Sequence, residues 1–129
     1  MRALACVAAV VLAASAAHAD CLKANIDGQS VSGKLLSIQF SIPDYALKEQ
    51  AYILQLATAA CLDGTDEFDK VDKSARIHVY SADDGIRKKL RGLVGKRVRV
   101  TGQPFGEETA HHHAPIVMGI SAVEPAPRK

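Results

Sequence analysis

Apolar and polar positions alternate along several stretches of the chain, and the phase of each alternation predicts an element. Val31, Gly33 and Leu35 share one face of an extended segment, and Leu36, Ile38 and Phe40 continue in the opposite phase. A slip of phase at Leu35–Leu36 predicts a bulge or sharp bend in one strand, with Gly33 nearby to permit it. Ser41-Ile42-Pro43-Asp44 ends that strand. Residues 51–56, Ala-Tyr-Ile-Leu-Gln-Leu, read as a second, more buried strand running toward Cys61. Residues 62–67 are polar and read as a loop. Arg76-Ile77-His78-Val79-Tyr80 is a third strand with Ile77 and Val79 inward and Arg76, His78 and Tyr80 on the other face. The period then changes. Ile86, Leu90, Leu93 and Val94 recur at helical spacing, with Ser81 and Asp84 as the expected capping pair and Gly92 or Gly95 as the stop. Residues 96–102 alternate cleanly as a fourth strand, Gln103-Pro104 breaks it, and residues 115–123 form a fifth.

Three strands, a short helix and two strands predict an all-β domain with one helix, an OB-fold-like five-stranded Greek-key barrel whose helix bridges strands three and four. A β-sandwich would need more strands at regular spacing. The expected interior is Leu36, Ile38, Leu54, Leu56, Ile77, Val79, Val98, Val100, Ile116, Met118 and Ile120, with Leu90 plugging one end.

The first residues change the picture of where this barrel works. Met1-Arg2 precedes an uncharged apolar run to Ala14, and Ala17-His18-Ala19 places small residues where a signal peptidase reads. This predicts a signal peptide over residues 1–19, a single domain over 20–124 and a flexible Pro-rich tail over 125–129. The apolar run is shorter than the ~20 residues needed to span a bilayer, so no transmembrane segment is expected after processing. The expected location is periplasmic or secreted. Cleavage leaves Cys21 and Cys61, and an even pair in an exported domain reads as one disulfide. A loop of about 40 residues so closed is worth roughly 3–4 kcal/mol. The chain has 129 residues, 48% hydrophobic and 23% charged, with a formal net charge of +2 and 5% aromatics. These values suit one globular domain, give no reason to expect nucleic acid as partner, and with no Trp furnish a stacking platform for bases or sugars only thinly.

Residues 93–102, Leu-Val-Gly-Lys-Arg-Val-Arg-Val-Thr-Gly, and residues 109–115, Thr-Ala-His-His-His-Ala-Pro, carry a resemblance. Together they resemble an uncharacterised family of small exported bacterial domains of unknown function. In that family a Gly-Lys-x-Val-x-Val-x-Gly strand leads into a Thr-x-His-His segment, a Pro and the last strand. Leu54-x-Leu56 and Cys61 look like the middle portion of the same family. The resemblance implies an OB-like fold and export, and transfers no catalytic residue.

The histidine run is the main candidate for chemistry. In an extended segment His111 and His113 point to one side and His112 to the other. Two imidazoles so placed can chelate Zn²⁺ or Cu²⁺, with Glu107 or Glu108 adding oxygen and His78 approaching if its strand lies alongside. The structural alternative is that Thr109, one or two buried histidines and Pro115 organise the loop, or line a ligand pocket. A second feature is basic. Arg87, Lys88, Lys89, Arg91, Lys96, Arg97 and Arg99 follow one another without an intervening acid, while Asp63, Asp66, Glu67, Asp69 and Asp72 cluster around Lys70. The basic run reads as a solvated face, or as a surface for an anionic envelope component. Nucleophile elbows, P-loops and H-E-x-x-H motifs are missing. The sequence therefore predicts a non-enzymatic, cofactor-free binding module for an envelope protein, peptide or small ligand. The alternatives are a periplasmic Zn²⁺/Cu²⁺ protein and an inhibitor or immunity-type partner of a cell-wall enzyme.

Overall fold

The computed structural model describes residues 20–42 and 46–127. The expected signal peptide, the Pro43-Asp44 stop and the end of the tail lie outside them. Eight elements follow in order: β1 (Leu22–Lys23), β2 (Gln29–Ile42), β3 (Leu47–Asp63), a 3₁₀ turn (Glu67–Asp69), β4 (Val71–Tyr80), α1 (Asp84–Leu93), β5 (Arg97–Gly106) and β6 (Ile116–Pro125). Strands β2 to β6 close a five-stranded barrel, and β1 adds a sixth strand in parallel with β3. This is the expected OB-like all-β fold with one helix between its third and fourth barrel strands. The extra strand β1 was not legible, because two residues carry no periodicity.

Strand β2 explains the phase slip. Its first half pairs with β5 from Gln29 to Lys34, and its second half pairs with β3 from Lys34 to Ile42. Both registers run without a shift, so the expected bulge is absent. A Cβ on Gly33 would lie 2.5 Å from the Gln55 carbonyl oxygen, so the strand depends on glycine where its two partners meet. Leu35 faces the interior and is fully buried. Leu36 and Ile38 were expected inside in its place. They lie instead on the outer face, where Leu36 aligns with Ile53 and Ile38 with Ala51.

The interior cluster joins Leu35, Leu54, Leu56, Ile77, Val79, Val98, Val100, Ile116, Met118 and Ile120, with Leu90 of α1 buried among them. The helix starts later than expected. Asp83 is its N-cap, accepting from the Ile86 amide at 2.9 Å, while Ser81 accepts from the Asp83 amide. Aspartate caps as well as serine does, and the serine turn presents it. Of the two candidate stops, Gly95 ends the helix, with φ +85°, and Gly92 lies inside it. Strand β6 runs one residue past the expected boundary at Glu124. Pro125 pairs with Val98 and the Ala126 amide donates to Arg97, so the start of the expected tail belongs to the sheet.

Cys21 and Cys61 form the expected disulfide and pin the segment before β1 to β3. Asp69, read as part of a polar acidic stretch, is buried. Its carboxylate accepts from the Gly106 amide at 2.9 Å and from Asn25 at 3.0 Å, tying the 3₁₀ turn to β5 and to the β1–β2 loop.

Candidate functional site

A second buried layer lies outside the barrel. Register places Leu36, Ile53, His78, Val117 and Phe105 in one row across β2, β3, β4, β6 and β5. Ile53 and Val117 are fully buried although they stand apart from the interior cluster. Side chains on the outside of a barrel are buried only if something covers them. Here the β5–β6 loop, residues 107–115, contributes buried Ala114 and the nearly buried His113, and His113 packs on the outer-face rings of Phe40 and His78.

The loop holds itself together through groups anticipated from sequence. Thr109 accepts from the His111 amide through its hydroxyl and from the His112 amide through its carbonyl. The Glu107 amide donates to the Pro115 carbonyl. His112 Nδ1 accepts from the amides of Glu108 at 3.0 Å and Thr109 at 3.3 Å. That nitrogen therefore carries the lone pair, and the neutral ring's proton sits on Nε2.

His111 and His113 converge on one carboxylate, that of Glu49. His111 Nδ1 lies 3.1 Å and His113 Nε2 3.0 Å from its Oε2. A carboxylate only accepts, so both ring nitrogens donate. The hydrogen bonds from His113 and His111 hold the Glu49 carboxyl below its ordinary value of 4.5, against partial desolvation. Phe40 stacks on His113 with ring centres 4.1 Å apart. Below them His78 is 8% exposed, and its Nδ1 accepts from the His113 amide at 3.2 Å. Burial pushes the His78 pKa down to about 4, with repulsion from His113 and His112 adding to it and Glu49 opposing. His78 is a neutral acceptor buried under the loop.

Geometry thus brings together His78, His111, His112, His113, Thr109 and Pro115. The carboxylate in the cluster is Glu49, and not Glu107 or Glu108, which were expected to supply oxygen. Glu49 and Phe40 were missed because they lie more than sixty residues away along the chain and become neighbours of the loop only through the β2–β3 register. Among the described residues no three His, Cys, Asp or Glu side chains are grouped so as to hold a metal ion. Arg87, Lys88, Lys89, Arg91, Lys96, Arg97 and Arg99 are all exposed on α1, the turn after it and the outward side of β5. Arg99 pairs with Glu124 at 2.7 Å and Arg87 with Asp84 at 3.3 Å. Among the described residues no helix is long and apolar enough to cross a membrane.

Residues 76–124 match the model of a family described as a domain of unknown function (DUF4431), which supports membership of that uncharacterised family. The match contains both motif segments that carried the resemblance, and leaves Leu54 to Cys61 outside. No curated protein matches the chain.

Proposed function

With membership of DUF4431 supported over residues 76–124 and its description naming no activity, we propose that the protein is an exported, non-enzymatic binding module. It takes a small ligand or an exposed peptide of an envelope partner on the outer face of its barrel. The observation that carries the reading is the position of the Glu49–His111–His113 cluster. It sits under the β5–β6 loop on the outer face of β3, the second barrel strand, with His78 beside it on β4, the third. OB-type barrels bind their ligands at this place, on the face of the second and third strands between the first and last loops. That support is an analogy of fold. The chemistry of the cluster adds to it: a carboxylate, exposed His111 and stacked Phe40 offer acceptors, donors and a flat apolar surface within one small area.

The cluster offers bases and an acid without a nucleophile, since the Thr109 hydroxyl is engaged by the His111 amide. This favours binding over catalysis. Export is favoured by the disulfide, a bond that persists in oxidising compartments, and by the leader pattern of residues 1–19. A metal-free site is part of the proposal.

Two measurements test the reading. Full-length chain produced in a Gram-negative host should yield a periplasmic or secreted product whose intact mass starts at Asp20 with both cysteines oxidised. Retention of the leader or two free thiols would overturn export. Tag-free protein labelled with ¹⁵N should then be titrated with oligosaccharides, short peptides and Zn²⁺. Shifts confined to residues 40, 49 and 107–115 with an organic probe support the module. Submicromolar Zn²⁺ binding that His111→Ala together with His113→Ala abolishes would replace it with the metal-binding alternative.

A further inference from the structure

Rings continue along the outer face beyond the histidines. From His113 the strip passes to His78 at 5.6 Å, to His112 and to Tyr80 at 6.3 Å each, and Phe105 lies 5.4 Å from His112 and 6.3 Å from Tyr80. At the far end Tyr80 and Phe105 stand edge to face at 81° and form two walls of an open cavity of about 290 Å³. Tyr80 is 45% exposed. It lies over Gly119, where an added Cβ would come within 3.1 Å of the tyrosine oxygen. Glycine at this point of β6 lets the ring lie along the sheet and leaves the cavity open above it.

Polar groups complete the lining. Asp27 brings a carboxylate, Gln103 a carboxamide and Ser121 a hydroxyl, and no lysine or arginine takes part. Along the strip Glu49 adds a second acid, and Arg76 stands on the same face of β4 two residues before His78. The OB outer face serves two ligand classes, oligonucleotides and oligosaccharides. The first needs cationic side chains to offset its phosphates, and the cavity's one charged side chain, Asp27, is negative. The second presents flat C–H faces and hydroxyls, which match exposed aromatic faces and planar acceptors with donors.

We propose that the Tyr80–Phe105 cavity is a subsite for one ring of an uncharged oligosaccharide, stacked against Tyr80 or Phe105 and hydrogen-bonded by Asp27, Gln103 and Ser121. The volume falls at the lower end of small-molecule sites, about 300–1,000 Å³, which fits a single sugar ring. The rest of a chain would run along the strip toward His113 and Glu49. This names the ligand class of the binding face argued above and rests on that reading.

The test is a ¹⁵N and aromatic ¹³C titration of the tag-free mature protein with cellotriose, tri-N-acetylchitotriose and single-stranded dT₁₀. Either sugar should shift Tyr80, Phe105 and Gly119, and dT₁₀ should not. Tyr80→Ala should weaken sugar binding by about tenfold or more, with unchanged thermal stability as the control for folding. Gly119→Val, which displaces the Tyr80 ring, should do the same, while Tyr80→Phe should retain most of the affinity. Sugar shifts at residues 40, 49 and 107–115 with Tyr80 and Gly119 silent would overturn the subsite and leave the module reading standing. Binding of dT₁₀ in place of sugar would overturn the saccharide class. No response to any probe on the outer face would count against both.

Discussion

His78 is a histidine whose alternate face, predicted to oppose Ile77 and Val79, is buried by a loop thirty residues further on. Its pKa is about 4 in the folded protein, against roughly 6.5 for a free imidazole. A group neutral in the fold and readily charged when unfolded makes the unfolded chain bind more protons between those values. Stability is therefore full above about pH 6.5 and falls as the pH drops toward 4. Glu49 acts in the same direction, because its carboxyl is held below 4.5 and its contribution is lost once it protonates. Urea denaturation between pH 7 and 4 should show the decline. His78→Asn should flatten it, since an asparagine oxygen can take the place of Nδ1 as acceptor for the His113 amide without titrating. An equally steep decline in that variant would show that His78 is not the responsible group. His78→Ala should instead cost about 1–3 kcal/mol at neutral pH, because it strands that amide.

At the scale of the element, β2 shows what periodicity can and cannot say. Both of its apolar half-patterns are real, Val31 to Leu35 and Leu36 to Phe40, but they line opposite faces of one unbroken strand. Alternation reveals that a face is covered. It does not reveal by what, and Leu36 and Ile38 belong to an outer layer in which Ile53 and Ala51 stand beside them. The same limit hid Glu49, a charged residue in a strand with no local cue that two histidines would meet it. Strand β4 from Arg76, β5 to Gly102, β6, the helix and the interior positions from Leu54 to Ile120 were legible because each buries one face against its immediate neighbours. Strand β4 nevertheless begins earlier, at Val71, and β5 continues through the expected break at Gln103-Pro104 to Gly106, still paired with β6. The histidine loop was legible as a unit for a similar reason, since Thr109, His112 and Pro115 bond within it. Leu35→Ala should cost about 2–5 kcal/mol, the range for a fully buried leucine, and Leu36→Ala clearly less. Equal losses in urea titrations would contradict the division into two layers. Arg97→Ala, on the exposed side of β5, should be nearly silent.

For the whole molecule, the disulfide and the last strand are the long-range closures. The Cys21–Cys61 bridge joins the chain across 40 positions and fixes β1 to the edge of β3. Reduction should lower stability by roughly 3–4 kcal/mol, read as a shifted urea midpoint, and should raise amide exchange at Leu22 and Lys23 before that of the barrel. A barrel that lost all protection at once on reduction would show the bridge to be part of the core. Strand β6 has another kind of consequence. It lies between β5 and β4, antiparallel to one and parallel to the other. Without it the sheet is an open ribbon, β4-β3-β2-β5, with two bare edges and unpaired backbone groups along both. The barrel therefore closes only with the strand that a ribosome delivers last. Every element from β1 to β5 must wait for the segment beginning at Ile116, and until it arrives the emerging chain offers its neighbours two places to pair.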